Sequence, residues 1–290
     1  MSVVNNINLF ISVIFETIRR VGWGRIWLLL LGYFGLQFLV LLAHWKFLSP
    51  VFYSPVIAWL HVVNSLPEFL LAPGAAPLFT HYPDHYLVLP TIYNWGKLAV
   101  ALLFEGLVMG GAAILFRNAF FLADGDRPLP LRDAFRHWPK LLAVWLILNV
   151  VIMAVNIELP MLLGDLLSSN PRRQLVFEFG LIPLIYAFVL GMFYFTFPSI
   201  VIMGDSVFGA IVRSFRVFVR RPFASFFMAL MVLVMPLLMS SMASRSHDII
   251  QKFQPELVVF LLMAGLFVEM VAYFFWAGTS TKYLLEVYEQ

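Results

Sequence analysis

The chain has 290 residues, 62% hydrophobic and only 12% charged, with a net charge of +3. Soluble domains carry about 25% charged residues, so half that share, with a mean hydropathy of +0.90, excludes an ordinary water-facing surface. Cysteine is absent, which excludes disulfides, thiolate metal sites and cysteine nucleophiles.

Residues 1–22 begin polar and continue as an apolar stretch, Leu9 to Val21, that carries Arg19 and Arg20. This predicts an interfacial helix, followed by a corner at Trp23-Gly24-Arg25, where Trp suits the headgroup level and Arg25 snorkels. A span needs about 20 apolar residues at about 1.5 Å each, and residues 26–45 meet that as the first span. The run is too long for a signal-peptide core and Ala43-His44-Trp45 offers no small-residue cleavage site, so an uncleaved anchor is expected.

Residues 46–94 hold Pro50, Pro55, Pro67, Pro73, Pro77, Pro83 and Pro90, which exclude a single helix and predict a Pro-rich outer loop. Val56 to Ser65 suits a short surface helix, and Trp45, Tyr53, Trp59, Tyr82, Tyr86, Tyr93 and Trp95 suit an aromatic belt.

The second span covers residues 97–116, with Glu105 near its middle. In the polar loop that follows, Leu131, Phe135 and Trp138 form an apolar stripe beside Arg132 and Arg136, and Pro139 ends it. The third span, 141–163, contains Asn149 and Asn156, with Glu158 toward its far end. A loop with Arg172 and Arg173 leads to the fourth span, 179–203, in which Pro183 and Pro198 lie near the two ends.

Gly204 and Asp205 break that run, and Val207 to Val219 follows. As a helix it places Phe208, Ile211, Val212, Phe215, Phe218 and Val219 on one side and Arg213, Arg216 and Arg220 on the other. That pattern predicts a helix lying in the membrane surface, basic face to lipid phosphates and apolar face to acyl chains. Arg221 ends it and Pro222 opens the fifth span, 223–242, with Pro236 as an expected kink. The sixth span, 257–277, contains Glu269, and a polar helical tail covers 278–290.

The expected fold is therefore all-α: one polytopic domain, 1–290, forming an integral membrane bundle of six transmembrane helices with interfacial amphipathic helices on the cytoplasmic side. Thirteen Lys and Arg residues fall on the side of the N-terminus and six on the other, so the positive-inside rule places both termini in the cytoplasm. The order Gly125-Asp126, basic stretch, Pro139, span is echoed by Gly204-Asp205, basic stretch, Pro222, span. Either an internal repeat or ordinary topology-setting charge accounts for it.

Candidate functional residues are few. Glu105 and Glu269 lie within spans, where a carboxylate costs about 2.5–3.5 kcal/mol on insertion scales. Each is either part of a proton or substrate relay or a structural hydrogen-bonding group. Arg213, Arg216, Arg220, Arg221, Arg132 and Arg136 are candidates for lipid headgroups, at about 1 kcal/mol each, or else set topology alone. His81, Asp84 and His85 are metal-ligand types in a tight run, but Pro83 interrupts the helix that would bring both imidazoles onto one ion, so a polar turn and no metal is expected. Gly106, Gly110 and Gly111 in the second span, with Gly180 and Gly191 in the fourth, predict close helix contacts. Met228, Met231, Met235, Met239 and Met242 stripe the fifth span as packing residues. Nucleotide loops, G-x-S-x-G and H-E-x-x-H are missing. No cofactor is expected, and with the basic residues strung along membrane edges no nucleic-acid partner is expected either.

Pro198-Ser199-Ile200-Val201, the turn at Gly204-Asp205 and Ala210-Ile211-Val212-Arg213-Ser214-Phe215 resemble a loose family of bacterial six-helix inner-membrane proteins, among them the membrane domain fused to some glycerophosphodiester phosphodiesterases. This chain departs from them in its long Pro-rich outer loop, and no attached catalytic domain is expected. The resemblance implies a fold and a bacterial inner membrane, and no activity. The function expected first is a non-catalytic inner-membrane subunit whose partners are membrane lipids and other membrane proteins or itself. A transporter or permease subunit using Glu105 and Glu269 comes second. An intramembrane lipid-modifying enzyme, using His and Asp of the outer loop or Asp124 and Asp126, comes third.

Overall fold

The computed structural model describes residues 3–47, 85–121, 128–167 and 176–289. The expected surface helix at Val56–Ser65, most of the Pro-rich loop, Gly125-Asp126 and Arg172-Arg173 lie outside the described residues. The helices are α1 (Val3–Arg19), α2 (Gly24–Leu42), α3 (His85–Phe121), α4 (Arg132–Arg136), α5 (Trp138–Leu167), α6 (Ile182–Phe193), α7 (Thr196–Met203), α8 (Val207–Arg220), α9 (Pro222–Ser244), α10 (Ser246–Lys252) and α11 (Leu257–Glu289). Among the described residues there is no strand.

Among the described residues six helical stretches are long and apolar enough to cross a membrane: α2, α3, α5, the α6–α7 pair, α9 and α11. In hydrocarbon every backbone N–H and C=O must be satisfied within the segment, and an uninterrupted helix does that. Their large apolar side chains point outward as well as inward. Leu28, Leu39, Val150, Met153, Phe223, Phe260 and Phe267 are all mostly exposed. Water would penalise such a surface at about 25 cal/mol per Å², and lipid does not. The chain is a multi-pass six-helix membrane bundle.

Two compact units divide it. The first comprises Met1–Tyr33, Ala101–Leu238 and Val268–Gln290. Its centre is aromatic: Trp27 stacks on Phe274 with centroids 4.6 Å apart, and Phe116 meets Phe274 edge-on at 5.0 Å. Such pairs add about 0.5–1.5 kcal/mol each beyond their burial. Helix α1 buries Val13 and Thr17 and leaves Ile7, Ile11, Phe15 and Ile18 open. It approaches α11 tightly at Gly278, where a Cβ would stand 2.4 Å from Thr17 Cγ2 and 2.9 Å from the Phe116 ring. Gly106 lets α3 approach the α5 backbone, since a Cβ there would lie 2.8 Å from the Leu141 carbonyl oxygen. Gly180, by contrast, has nothing among the described residues closer than a Val176 methyl at 4.0 Å.

The second unit comprises Phe34–Val100 and Met239–Phe267. Trp45 Nε1 donates to Tyr86 Oη at 3.2 Å, and Ser246 Oγ donates to the Leu87 carbonyl at 3.3 Å.

Two expectations need correction. The outer loop does not extend to residue 94: α3 already begins at His85 and carries Pro90 inside it. A proline near a helix start removes one backbone bond without ending the helix. The stretch from residue 278 is helical as expected, α11 continuing to Glu289, but it is not an exposed polar tail, since Thr279, Ser280, Thr281, Tyr283 and Leu284 are fully buried. Two of the hydroxyls bond to their own helix, Thr279 Oγ1 donating to the Phe275 carbonyl at 2.6 Å and Ser280 Oγ to the Ala277 carbonyl at 3.3 Å, so these small polar residues pack here as apolar ones do.

Candidate functional site

The site grows from a break in a helix. Pro198 has no N–H, so the carbonyl one turn earlier, Tyr194, loses its helical donor. That carbonyl accepts from Trp276 Nε1 at 3.1 Å instead. The α6–α7 break falls at Tyr194-Phe195, and Ser214 of α8 repairs it. Ser214 Oγ donates to the Met192 carbonyl at 2.7 Å and accepts from the Phe195 amide at 3.1 Å. One hydroxyl thus serves two backbone groups of the broken turn.

Helix α7 then ends at Gly204, whose φ of 75° is the left-handed conformation that glycine adopts without strain. Asp205 follows as the hub of the reversal. It accepts from the Ser199 hydroxyl, from Arg213 Nη2 at 2.9 Å, and pairs with Arg213 Nε at 2.6 Å. Its carbonyl accepts from Lys140 Nζ of α5 at 3.2 Å. Ser206 caps α8 by accepting from the Gly209 amide at 3.1 Å. The segment that carries the family resemblance is thus one hydrogen-bonded corner.

The corner holds α8 so that it has three sides at about 100° per residue. Ala210, Ser214, Val217 and Phe218 are buried, and Phe218 meets Phe188 edge-on at 5.1 Å. Phe208, Val212, Phe215 and Val219 form an open apolar stripe, Phe208 being 76% exposed. Arg216 and Arg220 are exposed on the third side. The apolar face expected from the sequence is thus split, with Phe218 turned inward. Arg213 departs from the headgroup role expected of it, because its guanidinium is committed to Asp205. Arg221 lies over the Tyr283 ring at 5.8 Å.

Other basic groups gather at this end of the first unit. Arg20 and Lys282 Nζ both lie over the Phe120 ring, at 5.8 and 5.5 Å. Asn118 pins the segment before α4 through two 2.8 Å bonds with Leu129, its Nδ2 donating to the carbonyl and its Oδ1 accepting from the amide. On α4 both Arg132 and Arg136 are exposed, as is Phe135 between them. Burial and the neighbouring Lys140 hold the His137 imidazole below its usual range; Asp133 opposes this and Arg136 adds to it. The Phe135-Arg136 and Phe215-Arg216 pairs are alike in exposure, but α4 has 5 residues and α8 has 14, so the two stretches differ in build.

The intramembrane carboxylate Glu105 is half-buried and meets two tyrosines. Tyr273 Oη donates to its Oε1, and Tyr33 Oη lies 3.4 Å from its Oε2. The two rings are nearly parallel with centroids 6.3 Å apart. Hydroxyl donors offset the cost of taking a carboxylate out of water. Glu269 lies one turn before Tyr273 on α11. Asn149 Nδ2 turns back to its own helix, donating to the Trp145 carbonyl at 2.9 Å, and Asn156 falls on α5. His85 is the first residue of α3, while His81, Asp84, Asp124 and Asp126 lie outside the described residues. Among the described residues no cluster of His, Asp and Glu is grouped to hold a metal.

Sequence reasoning quoted Ser199 and Ser214 only for the resemblance and gave them no bonding role, and it missed Tyr33 and Tyr273. A tyrosine in each of two spans was the available signal for the Glu105 cluster, and a serine in the apolar half of an amphipathic helix was the signal for the corner.

Compared with protein-family models, curated proteins and solved structures, the chain matches none of them.

Proposed function

We propose that this membrane protein is a non-catalytic subunit of a bacterial inner membrane, both termini cytoplasmic, which gathers anionic lipid at its basic end. Its open apolar faces meet partner membrane proteins or a second copy. The observation that carries this is the three-sided α8: a helix fixed by Ser214, Asp205 and Arg213, yet open along Phe208, Val212, Phe215 and Val219 beside Arg216 and Arg220. An apolar stripe bordered by arginines is the chemistry of a helix lying at the lipid headgroups. The bacterial placement draws on the resemblance of the Pro198–Phe215 segment.

The test is the lipid composition of polymer-excised native discs containing the protein. The anionic fraction should exceed that of the bulk membrane, and the Arg132→Gln/Arg136→Gln/Arg216→Gln variant should lower it toward the bulk value. A wild-type protein surrounded by bulk lipid would refute the proposal.

A further inference from the structure

A groove of about 500 Å³ lies between α1 and the α8–α9 corner, within the first unit. Ile7 and Phe10 form one wall, Phe223 and Phe227 the other, and Arg220 and Arg221 stand at the corner where the two helices meet. The volume falls within the range of about 300–1,000 Å³ typical of small-molecule sites. Phe223 is 78% exposed and Ile7 52%, so the groove opens sideways onto the lipid-facing surface. The basic charge is confined to one end, and the walls are otherwise apolar.

We propose that this groove holds one acyl chain of an anionic phospholipid, with its phosphate against Arg220 and Arg221. Two properties select that occupant. The aliphatic and aromatic walls take a hydrocarbon chain and offer a headgroup nothing. The adjacent guanidinium groups are planar forks suited to phosphate oxygens, which a packed apolar helix from a partner would not supply. Arg221 is held in place by its contact over the Tyr283 ring, while Arg220 is exposed. One arginine is therefore pre-positioned and the other is free to close onto the phosphate. This rests on the lipid-contacting role proposed above and narrows it from a general enrichment to a single bound molecule.

The experiment is native mass spectrometry of the full chain in detergent, titrated with phosphatidylglycerol or with phosphatidylcholine of the same acyl chains. One phosphatidylglycerol should be retained in preference to phosphatidylcholine. At about fivefold per arginine, Arg220→Gln should bind it about fivefold more weakly and Arg220→Gln/Arg221→Gln about 25-fold more weakly. Ile7→Trp, which fills the groove from an exposed position, should weaken both lipids. Arg220→Gln alone changes an exposed side chain, so a folding defect in the double variant does not decide the matter. Equal retention of the two lipids, or variants that bind like the wild type, would overturn the proposal. Anionic enrichment in native discs without a tightly bound lipid overturns the groove alone. A tightly bound phosphatidylglycerol without disc enrichment overturns the broader lipid-gathering role alone.

Discussion

Arg213 grips Asp205 across the turn that reverses the chain, with Nε 2.6 Å from Oδ2 and Nη2 2.9 Å from Oδ1. Both side chains are largely withdrawn from solvent, so the pair is more than a surface ion pair. Its role is to aim α8: the carboxylate belongs to the turn after α7, and the guanidinium to the middle of α8.

A double-mutant cycle measures that role. Removing one partner of a buried pair strands the other charge, at about 3–5 kcal/mol when burial is complete, so Arg213→Gln and Asp205→Asn should each lower the melting temperature in detergent. Because the two residues act on one contact, the double variant should lose less than the sum, with a coupling of about 1–3 kcal/mol. Strictly additive losses would show that the contact does not hold the corner.

Ser214→Ala leaves the Phe195 amide and the Met192 carbonyl without the hydroxyl that serves them both. Each buried orphan costs about 1–3 kcal/mol. Thermal unfolding should fall accordingly, and hydrogen exchange at the Phe195 amide should rise in the folded protein. Unchanged protection at that amide would contradict the repaired-break geometry.

Gly278→Ala places a methyl 2.4 Å from Thr17 Cγ2 and should cost about 1–3 kcal/mol by overpacking. Gly265→Ala is the matched control, since its new methyl would meet Met239 Cβ at an ordinary 3.8 Å. Thr17→Ser, which removes the clashing methyl, should restore part of the loss in the Gly278→Ala background. Equal melting temperatures for the two alanine variants would remove the claim of close α1–α11 packing.

Glu105 accepts from Tyr273 and Tyr33, so its replacement tests whether it is there for structure. Glu105→Gln keeps a polar group for the hydroxyls and should change thermal stability little. Glu105→Leu takes the acceptor away from both and should cost about 1–3 kcal/mol per hydroxyl left unmatched. A leucine variant as stable as the wild type would point away from a structural carboxylate and toward a transport role.

The spans were legible because each is a long apolar run, and a hydrocarbon slab of fixed thickness leaves little choice of what such runs do. The reversal at Gly204-Asp205 was also legible, since Pro198, Gly204 and Asp205 are local punctuation. The partners were not. Ser214 repairs a break made by a proline on a different helix, and no local pattern connects the two. Residues 279–281 looked polar from composition, yet the Thr279 and Ser280 hydroxyls bond to their own helix and all three side chains are buried. Pro90 was counted as a loop residue because proline ends most soluble helices, whereas a long membrane helix tolerates one near its start. The three sides of α8 were read as two because periodicity separates apolar from charged residues but not core-facing from lipid-facing ones.

The central claim is that α8 lies flat at the membrane surface. The natural chain has no cysteine, so a single introduced cysteine can carry a nitroxide without background. Labels at Phe208, Val212, Phe215 and Val219 should be reached by oxygen dissolved in the bilayer and shielded from a water-soluble nickel complex. Labels at Arg216 and Arg220 should show the reverse, giving an accessibility profile with helical period in liposomes containing anionic lipid. Uniform access to the nickel complex at all six positions, or uniform shielding from both reagents, would contradict the account.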